Sequence, residues 1–357
     1  MKPIIHNSGV TDFQKCRRMW WFSDRNLGLG YAPHIPIDPF LLGRWIHTAA
    51  WRYYNAGATD IAEEFSNAVT DTLTEWSVDP QINLDEWLAD RVGRLLNLGQ
   101  GMLRGYHAWA STLTGWWADD NLEPIGLEEE GFSIDMPNYI YAGTWDRVVR
   151  RKDDGTLWIV EHKTDGNKDP ERIIDGVDKD WQPRFYTWGA EQVLGEPVAG
   201  VIYNVIRKVD PFNIERLQNG LPTRNKAKLT NTTTAPAYRT VLDGVMRANP
   251  DLQREWPSYK KLLDWLDLQP QVHYLRFPLY IPDPWKRKVP NVLNWIATEM
   301  TRTSELGATD PELIVPTLNR YACNFCPFKG PCGVLDDDGD FQWSIEGTMV
   351  KQRRELL

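Results

Sequence analysis

Gly143–Lys163 reads GTWDRVVRRKDDGTLWIVEHK, and its pattern is that of a β-hairpin. An apolar run from Tyr139 to Val149 leads into the turn Asp153-Asp154-Gly155, and Leu157-Trp158-Ile159-Val160 leads out. Side chains alternate across a strand, so Glu161 and Lys163 point to one face while His162 points away. Asp146, on the partner strand, reaches the same end of the sheet. An acid and a lysine two apart on a strand are ordinarily a solvated pair. Here the flanks LWIV and GTWDRVV are too apolar to lie on a polar surface, so charges at the strand's end call for a chemical reason.

Two carboxylates and an ammonium converging at a sheet rim suit divalent-metal phosphodiester chemistry. The carboxylates hold hard cations through oxygen, and the lysine positions or activates a water. N-terminal to the hairpin, Asn7-Ser8 offers a cap and Thr11–Ser23 reads as a helix carrying Cys16. Phe40–Asn55 reads as a helix on which Gly43 and His47 share a face. The glycine is expected to let another backbone approach the imidazole. A lone histidine on an apolar helix is more often a core residue than a ligand, so His47 needs outside support. Two amphipathic helices, Thr59–Trp76 and Asn83–Asp119, are expected over the sheet, the second with a break near Gly99 or Gly115. Glu128-Glu129-Glu130 reads as a charge run at the start of a strand that pairs with the hairpin.

After the hairpin, a polar loop is expected over Thr164–Asp175, then a helix over Asp178–Leu194 that puts Gln182 and Tyr186 on one face. Ala199–Arg207 reads as a buried strand. Asp210–Pro257, with Arg224, Lys226 and Lys228 ahead of TNTTTAP, reads as an insertion or long loop near nucleic acid. His273–Ile281 alternates like a strand, and Pro284–Glu305 resumes helix. Strands and helices in this order give a mixed α/β core.

Composition bounds the rest. With 42% hydrophobic and 25% charged residues the chain is an ordinary globular protein. No apolar run approaches a membrane span, MKPIIHNSG lacks a secretory core, and a cytoplasmic location is expected. A net charge of −9 excludes coating nucleic acid by bulk charge but leaves room for a local phosphate-binding groove. Most of the 18 tryptophans fall at helical spacings and read as core, with a minority left to stack on bases. The four cysteines are Cys16, Cys323, Cys326 and Cys332. C-x2-C-x5-C reads as a metal site whose fourth ligand is Cys16, and a set of four thiolates suits zinc and an iron–sulfur cluster alike.

These blocks taken together resemble the PD-(D/E)XK nuclease superfamily, specifically its RecB-like and CRISPR-associated exonucleases with an iron–sulfur cluster. The resemblance covers residues 8–332. It rests on Cys16, Gly43-x3-His47, Gly143-x2-Asp146, Glu161-x-Lys163 followed by Gln182-x3-Tyr186, and Cys323-x2-Cys326-x5-Cys332, in that order. Trp145 stands where the superfamily's name has proline. The resemblance implies a restriction-endonuclease-like core of a mixed β-sheet flanked by helices. His47, Asp146 and Glu161 would bind Mg²⁺ or Mn²⁺, with the backbone carbonyl of His162 as a further ligand. Lys163 would orient or activate the attacking water, and Gln182 and Tyr186 would contact DNA phosphates or support the lysine. The cysteines would hold a structural 4Fe-4S cluster, in preference to zinc, stapling the first helix to the last segment.

The expected function is a metal-dependent DNA exonuclease acting on single strands or duplex ends in recombination, repair or phage-type processing. A catalytically quiet DNA-end-binding or adaptation protein and a structure-specific endonuclease are the alternatives. A homo-oligomer or a recombination- or CRISPR-type partner protein is compatible with this function. The expected parts are residues 1–38 (first helix and cysteine), 39–122 (helical subdomain), 123–209 (nuclease core), 210–270 (insertion), 271–335 (cysteine segment) and 336–357 (loosely ordered charged tail).

Overall fold

The computed structural model describes residues 2–352 except 81, 83, 127–130, 167–168, 271 and 319–322. The Glu128–Glu130 charge run therefore lies outside the described residues. The chain opens with β1 (Ile4–His6), α1 (Asn7–Lys15) and α2 (Arg17–Ser23). The single helix expected over Thr11–Ser23 is broken at Cys16, whose backbone is extended at φ −161° and ψ 114°. The break turns a regular apolar stripe into two short helices with the thiol at their joint. β2 (Tyr31–Pro33) follows, then α3 (Asp38–Asn55), α4 (Ile61–Ser77) and α5 (Glu86–Ala110).

Caps explain where these helices begin. The Asp60 carboxylate accepts from the N–H groups of Ala62 and Glu63, and that of Asp85 accepts from Leu88. α5 stops at Ala110, well short of Asp119, and runs unbroken through Gly99. That glycine is a contact point, since a Cβ there would lie 2.1 Å from Cζ of the buried Phe65 on α4. Gly99→Ala should therefore overpack the α4–α5 contact and destabilise the protein by about 1–3 kcal/mol. A urea unfolding midpoint unchanged from wild type would show that the Phe65 ring can swing aside.

The central five-stranded sheet has the order β3-β6-β7-β8-β9, formed by β3 (Leu122–Pro124), β6 (Arg147–Arg151), β7 (Leu157–Asp165), β8 (Val198–Arg207) and β9 (Tyr274–Tyr280). Only β7 and β8 are parallel; the other neighbours are antiparallel, so the sheet is mixed. The hairpin is present, with Arg147 opposite Val160 and Arg150 opposite Leu157. Its turn closes on Gly155 at φ 74°, and Asp154 Oδ1 accepts from the Thr156 N–H at 3.0 Å. The run from Tyr139 is not one strand. β5 (Ile140–Gly143) ends before residue 144 and joins a separate sheet between β1 and β4 (Phe132–Asp135), so β4 pairs with β5 and not with the hairpin. Asp146 falls in the gap between β5 and β6.

β7 extends to Asp165 and is followed by α6 (Pro170–Asp178), where a loop was expected; the Asp169 cap and the first-turn proline start that helix. α7 (Gln182–Leu194) ends at Gly195, left-handed at φ 69°. Residues 210–267 are helical in large part, with α8 (Lys226–Leu229), α9 (Ala235–Ala248) and α10 (Trp256–Asp267) around their own apolar cluster of Tyr238, Leu242, Tyr259 and Leu263. This corrects the expected loop. α11 (Asp283–Lys286) and α12 (Val289–Thr309) lead to the cysteines.

The expected loose tail is likewise ordered up to residue 352, as α13 (Lys329–Asp336), α14 (Phe341–Glu346) and β10 (Met349–Lys351), which pairs antiparallel with β2. Phe341 packs on Trp21 and Phe22, which explains why an acidic stretch folds back. Among the described residues no helix is long and apolar enough to cross a membrane.

Candidate active site

The parallel pairing with β8 fixes the two faces of β7. Glu161 and Lys163 lie on the face covered by α7, beside Tyr203, Phe185 and Trp188; His162 lies on the other face, beneath α3 and α5. Four separately placed elements then meet. α3 brings His47, the gap before β6 brings Asp146, β7 brings Glu161 and Lys163, and the first turns of α7 bring Gln182 and Tyr186.

The polar contacts form two neighbouring groups. His47 Nδ1 lies 2.9 Å from Asp146 Oδ1. The other oxygen, Asp146 Oδ2, accepts from the backbone N–H of His162 at 2.6 Å. Lys163 Nζ is 2.9 Å from Glu161 Oε1 and donates to Gln182 Oε1 at 2.6 Å, while Gln182 Nε2 donates to the same Glu161 oxygen at 2.8 Å. The Gln182 N–H is held by Asp180 Oδ1 at 3.0 Å, which fixes the start of α7 against the site.

Electrostatics follow from burying two acids together. The Asp146 charge raises His47 to about 9. Burial works against the Asp146 carboxylate, but His47 and the His162 N–H bring it down to about 2. Burial raises Glu161 above the usual carboxylate range against the pull of Lys163. Burial likewise opposes the Lys163 ammonium, yet Glu161 holds it above the ordinary lysine value. The site thus offers two carboxylates whose charge needs a cation, met here by an imidazolium and an ammonium.

Among the described residues no three His, Cys, Asp or Glu side chains stand as a ready ligand cage. Their donor atoms are turned onto one another and onto Lys163 and Gln182. The donor chemistry of two carboxylates and an imidazole nonetheless suits a divalent ion of the Mg²⁺ or Mn²⁺ kind. His162 contributes no side chain here. Its ring is 1% exposed, stacks on Tyr54 at 5.4 Å, and is pushed down to about 3 by burial. Only its backbone faces the site. The expected close backbone approach at Gly43 is also absent: a Cβ there would meet only Thr164 Oγ1, at 3.9 Å. Trp145, in the place of the proline, is buried and stacks on Phe132 at 4.4 Å.

Behind β7 lies a network that the sequence did not reveal. Arg276, with its side chain 1% exposed, donates to Asp119 Oδ1 at 3.1 Å, Tyr106 Oη at 2.9 Å and the Trp117 carbonyl at 3.0 Å. Arg147 reaches the same Asp119 oxygen at 3.3 Å and lies 4.0 Å over the Tyr54 ring, the ring that stacks on His162. Burial would raise Asp119, but the two guanidinium groups hold it below the usual carboxylate range. The available signal was an arginine inside each of two apolar strands. Asp119→Ala strands two buried cations and should cost about 3 kcal/mol of stability by denaturant titration. A loss below about 1 kcal/mol would mean that the Trp117 carbonyl and Tyr106 suffice to hold Arg276.

The four cysteines are free thiols and converge. Burial raises Cys326, and Cys16, Cys332 and Cys323 all add to that through their charge. Arg18, buried at the start of α2, donates to Cys332 Sγ at 3.5 Å, to the Ile314 carbonyl at 2.7 Å and to Asp336. Four soft donors with a guanidinium beside them have the chemistry of a thiolate metal site, although among the described residues no three of them stand as a ready ligand cage.

No curated protein matches the chain. A family model described as the PD-(D/E)XK nuclease superfamily matches residues 7–333. That span runs from α1 to the last cysteine and takes in the mixed sheet, its flanking helices and the acid-lysine cluster at its rim: the chain belongs to the PD-(D/E)XK nuclease superfamily.

Proposed function

We infer that the protein is a metal-dependent deoxyribonuclease of the RecB-like branch, degrading DNA from single strands or duplex ends, with a 4Fe-4S cluster held by Cys16, Cys323, Cys326 and Cys332. The observation that carries this reading is the meeting of His47, Asp146, Glu161 and Lys163 from three separate segments, braced by Gln182. His47, Asp146, Glu161 and the His162 carbonyl would hold Mg²⁺ or Mn²⁺. When bound, such an ion supplies Lewis acidity at the phosphoryl oxygen and acidifies water.

The protein's own groups do the positioning. Lys163, kept charged by Glu161, donates hydrogen bonds to the incoming water and to the phosphate oxygens, and does not act as a base. Gln182 ties the lysine and the glutamate into one unit, so both move together or not at all. Tyr186, raised by burial and by the two acids, keeps its proton and would donate it in a hydrogen bond to a DNA phosphate oxygen. The uncrosslinked thiols suit a reducing cytoplasm.

The test uses protein purified without oxygen, with Mn²⁺ or EDTA, on 5′- and 3′-labelled single- and double-stranded oligonucleotides and on closed circular DNA. Stepwise loss of nucleotides from linear DNA, with circles intact, is expected. Nicked circles would replace the exonuclease by an endonuclease. Binding to DNA ends with no cleavage in Mn²⁺ would favour an end-binding protein instead.

A further inference from the structure

Phe40, Gly43, Arg44 and His47 occupy one face of α3, at positions i, i+3, i+4 and i+7. At the C-terminal end of this stripe His47 meets Asp146. At the other end Phe40 and Arg44 line a cavity of about 390 Å³, closed by Lys15, His34, Trp76 and Phe325. Phe325 belongs to the cysteine loop, so the same wall that gathers the thiols shapes this cavity. Phe40 is 60% exposed on a helix whose Leu41 and Leu42 are buried. Arg44 lies 3.7 Å from Glu75 with both side chains mostly in solvent, a pair worth little and readily exchanged for a phosphate.

The lining combines aromatic rings and the cations Lys15 and Arg44 with aliphatic Met19, Ile37 and Val350; its one acid is Asp12, whose carboxyl burial pushes upward. That combination favours nucleic acid, since every base has a face to stack and every link a charge to meet. An amphipathic partner helix would leave the two cations without a charge to meet and would need a longer groove. The distance also fits. Phe40 and His47 are seven residues apart, about 10 Å along the helix axis. A strand at the duplex rise of about 3.4 Å covers this in about three nucleotides, and a more extended strand in fewer. Between them the face is low, because Gly43 carries no side chain over Thr164.

We propose that this cavity is a nucleobase subsite for the single-stranded substrate, seating the base one to three nucleotides from the scissile phosphate on Phe40, with Arg44 and Lys15 facing its phosphates. The proposal rests on the nuclease reading above and adds to it where the strand runs.

The experiment measures binding of a fluorescein-labelled single-stranded oligonucleotide to the full chain by anisotropy, with Ca²⁺ in place of Mn²⁺. Phe40→Ala should weaken binding about tenfold, the loss expected for one stacked base, and Phe40→Trp should retain it. A single abasic site is then walked along the strand. In wild type, one position within three nucleotides of the mapped cleavage point should reproduce the tenfold loss, and Phe40→Ala should show no added loss there. Binding by Phe40→Ala within twofold of wild type, or an equal loss at every abasic position, overturns the subsite. Mn²⁺-dependent cleavage in the same preparation separates the two claims. Cleavage by wild type with no Phe40 effect removes the subsite alone, whereas neither cleavage nor binding by wild type removes both.

Discussion

Lys163→Ala and Asp146→Asn are each expected to reduce Mn²⁺-dependent DNA cleavage by about 10²–10⁴-fold, with the circular dichroism spectrum unchanged. For the lysine, the loss is that of the ammonium that Glu161 and Gln182 jointly hold in place. The fold should survive it. Glu161 keeps its bond from Gln182 Nε2 at 2.8 Å, and burial already pushes its carboxyl toward the neutral form, so it can take a proton once its partner is gone. For the aspartate, the amide keeps the shape and can still accept from the His162 N–H, but it removes the negative charge that His47 answers at 2.9 Å. A hard cation loses its main anionic ligand, while the strand pairing stays as it was. Cleavage by either variant within threefold of wild type would place the chemistry elsewhere on the protein.

The second large effect concerns the cysteines. If the proposed 4Fe-4S cluster is present, Cys326→Ala should remove its visible absorbance in anaerobically purified protein and lower the thermal midpoint. Structural metal centres contribute of order 10 kcal/mol to folding. Losing roughly 3 kcal/mol of that would lower the midpoint by roughly 4 °C in a chain of 357 residues. The loss stops short of unfolding because apolar contacts also join the two chain segments: Phe22 lies 5.5 Å from Phe328 and 6.0 Å from Phe341. A colourless wild type containing zinc would replace the cluster while leaving the clasp. An unchanged midpoint in the variant would mean that the aromatic contacts alone hold the ends.

The parts of the site legible in the sequence were those governed by short-range rules. Period-two alternation placed Glu161 and Lys163 on one face and His162 on the other, and helical spacing placed Gln182 beside Tyr186. The turn residues Asp154 and Gly155 located the hairpin. Reading failed where a local pattern was overruled or diluted. The helix over Thr11–Ser23 kept its apolar period through Cys16, so nothing local signalled the extended residue there. Residues 219–236 are rich in turn formers and masked the two helices that follow. The acidic run before Phe341 masked a segment whose few apolar residues suffice to dock it on Trp21 and Phe22. The buried network was out of reach for a different reason. Arg276 and Asp119 are 157 positions apart, and no spacing rule connects an arginine in one strand to an acid in a distant turn.

The clasp also sets an order of events during synthesis. Arg18 finds Asp336 some 318 positions later, and β2 waits for β10 across a similar span. At ribosomal rates of about 5–20 residues per second, roughly 15–60 s separate the emergence of the two halves. Throughout that interval the Trp21 and Phe22 rings have no C-terminal aromatics to cover them. The segment carrying Trp21 and Phe22 therefore stays sticky until Phe328 and Phe341 arrive, and the yield in a cell should depend on chaperones that shield it in the interval.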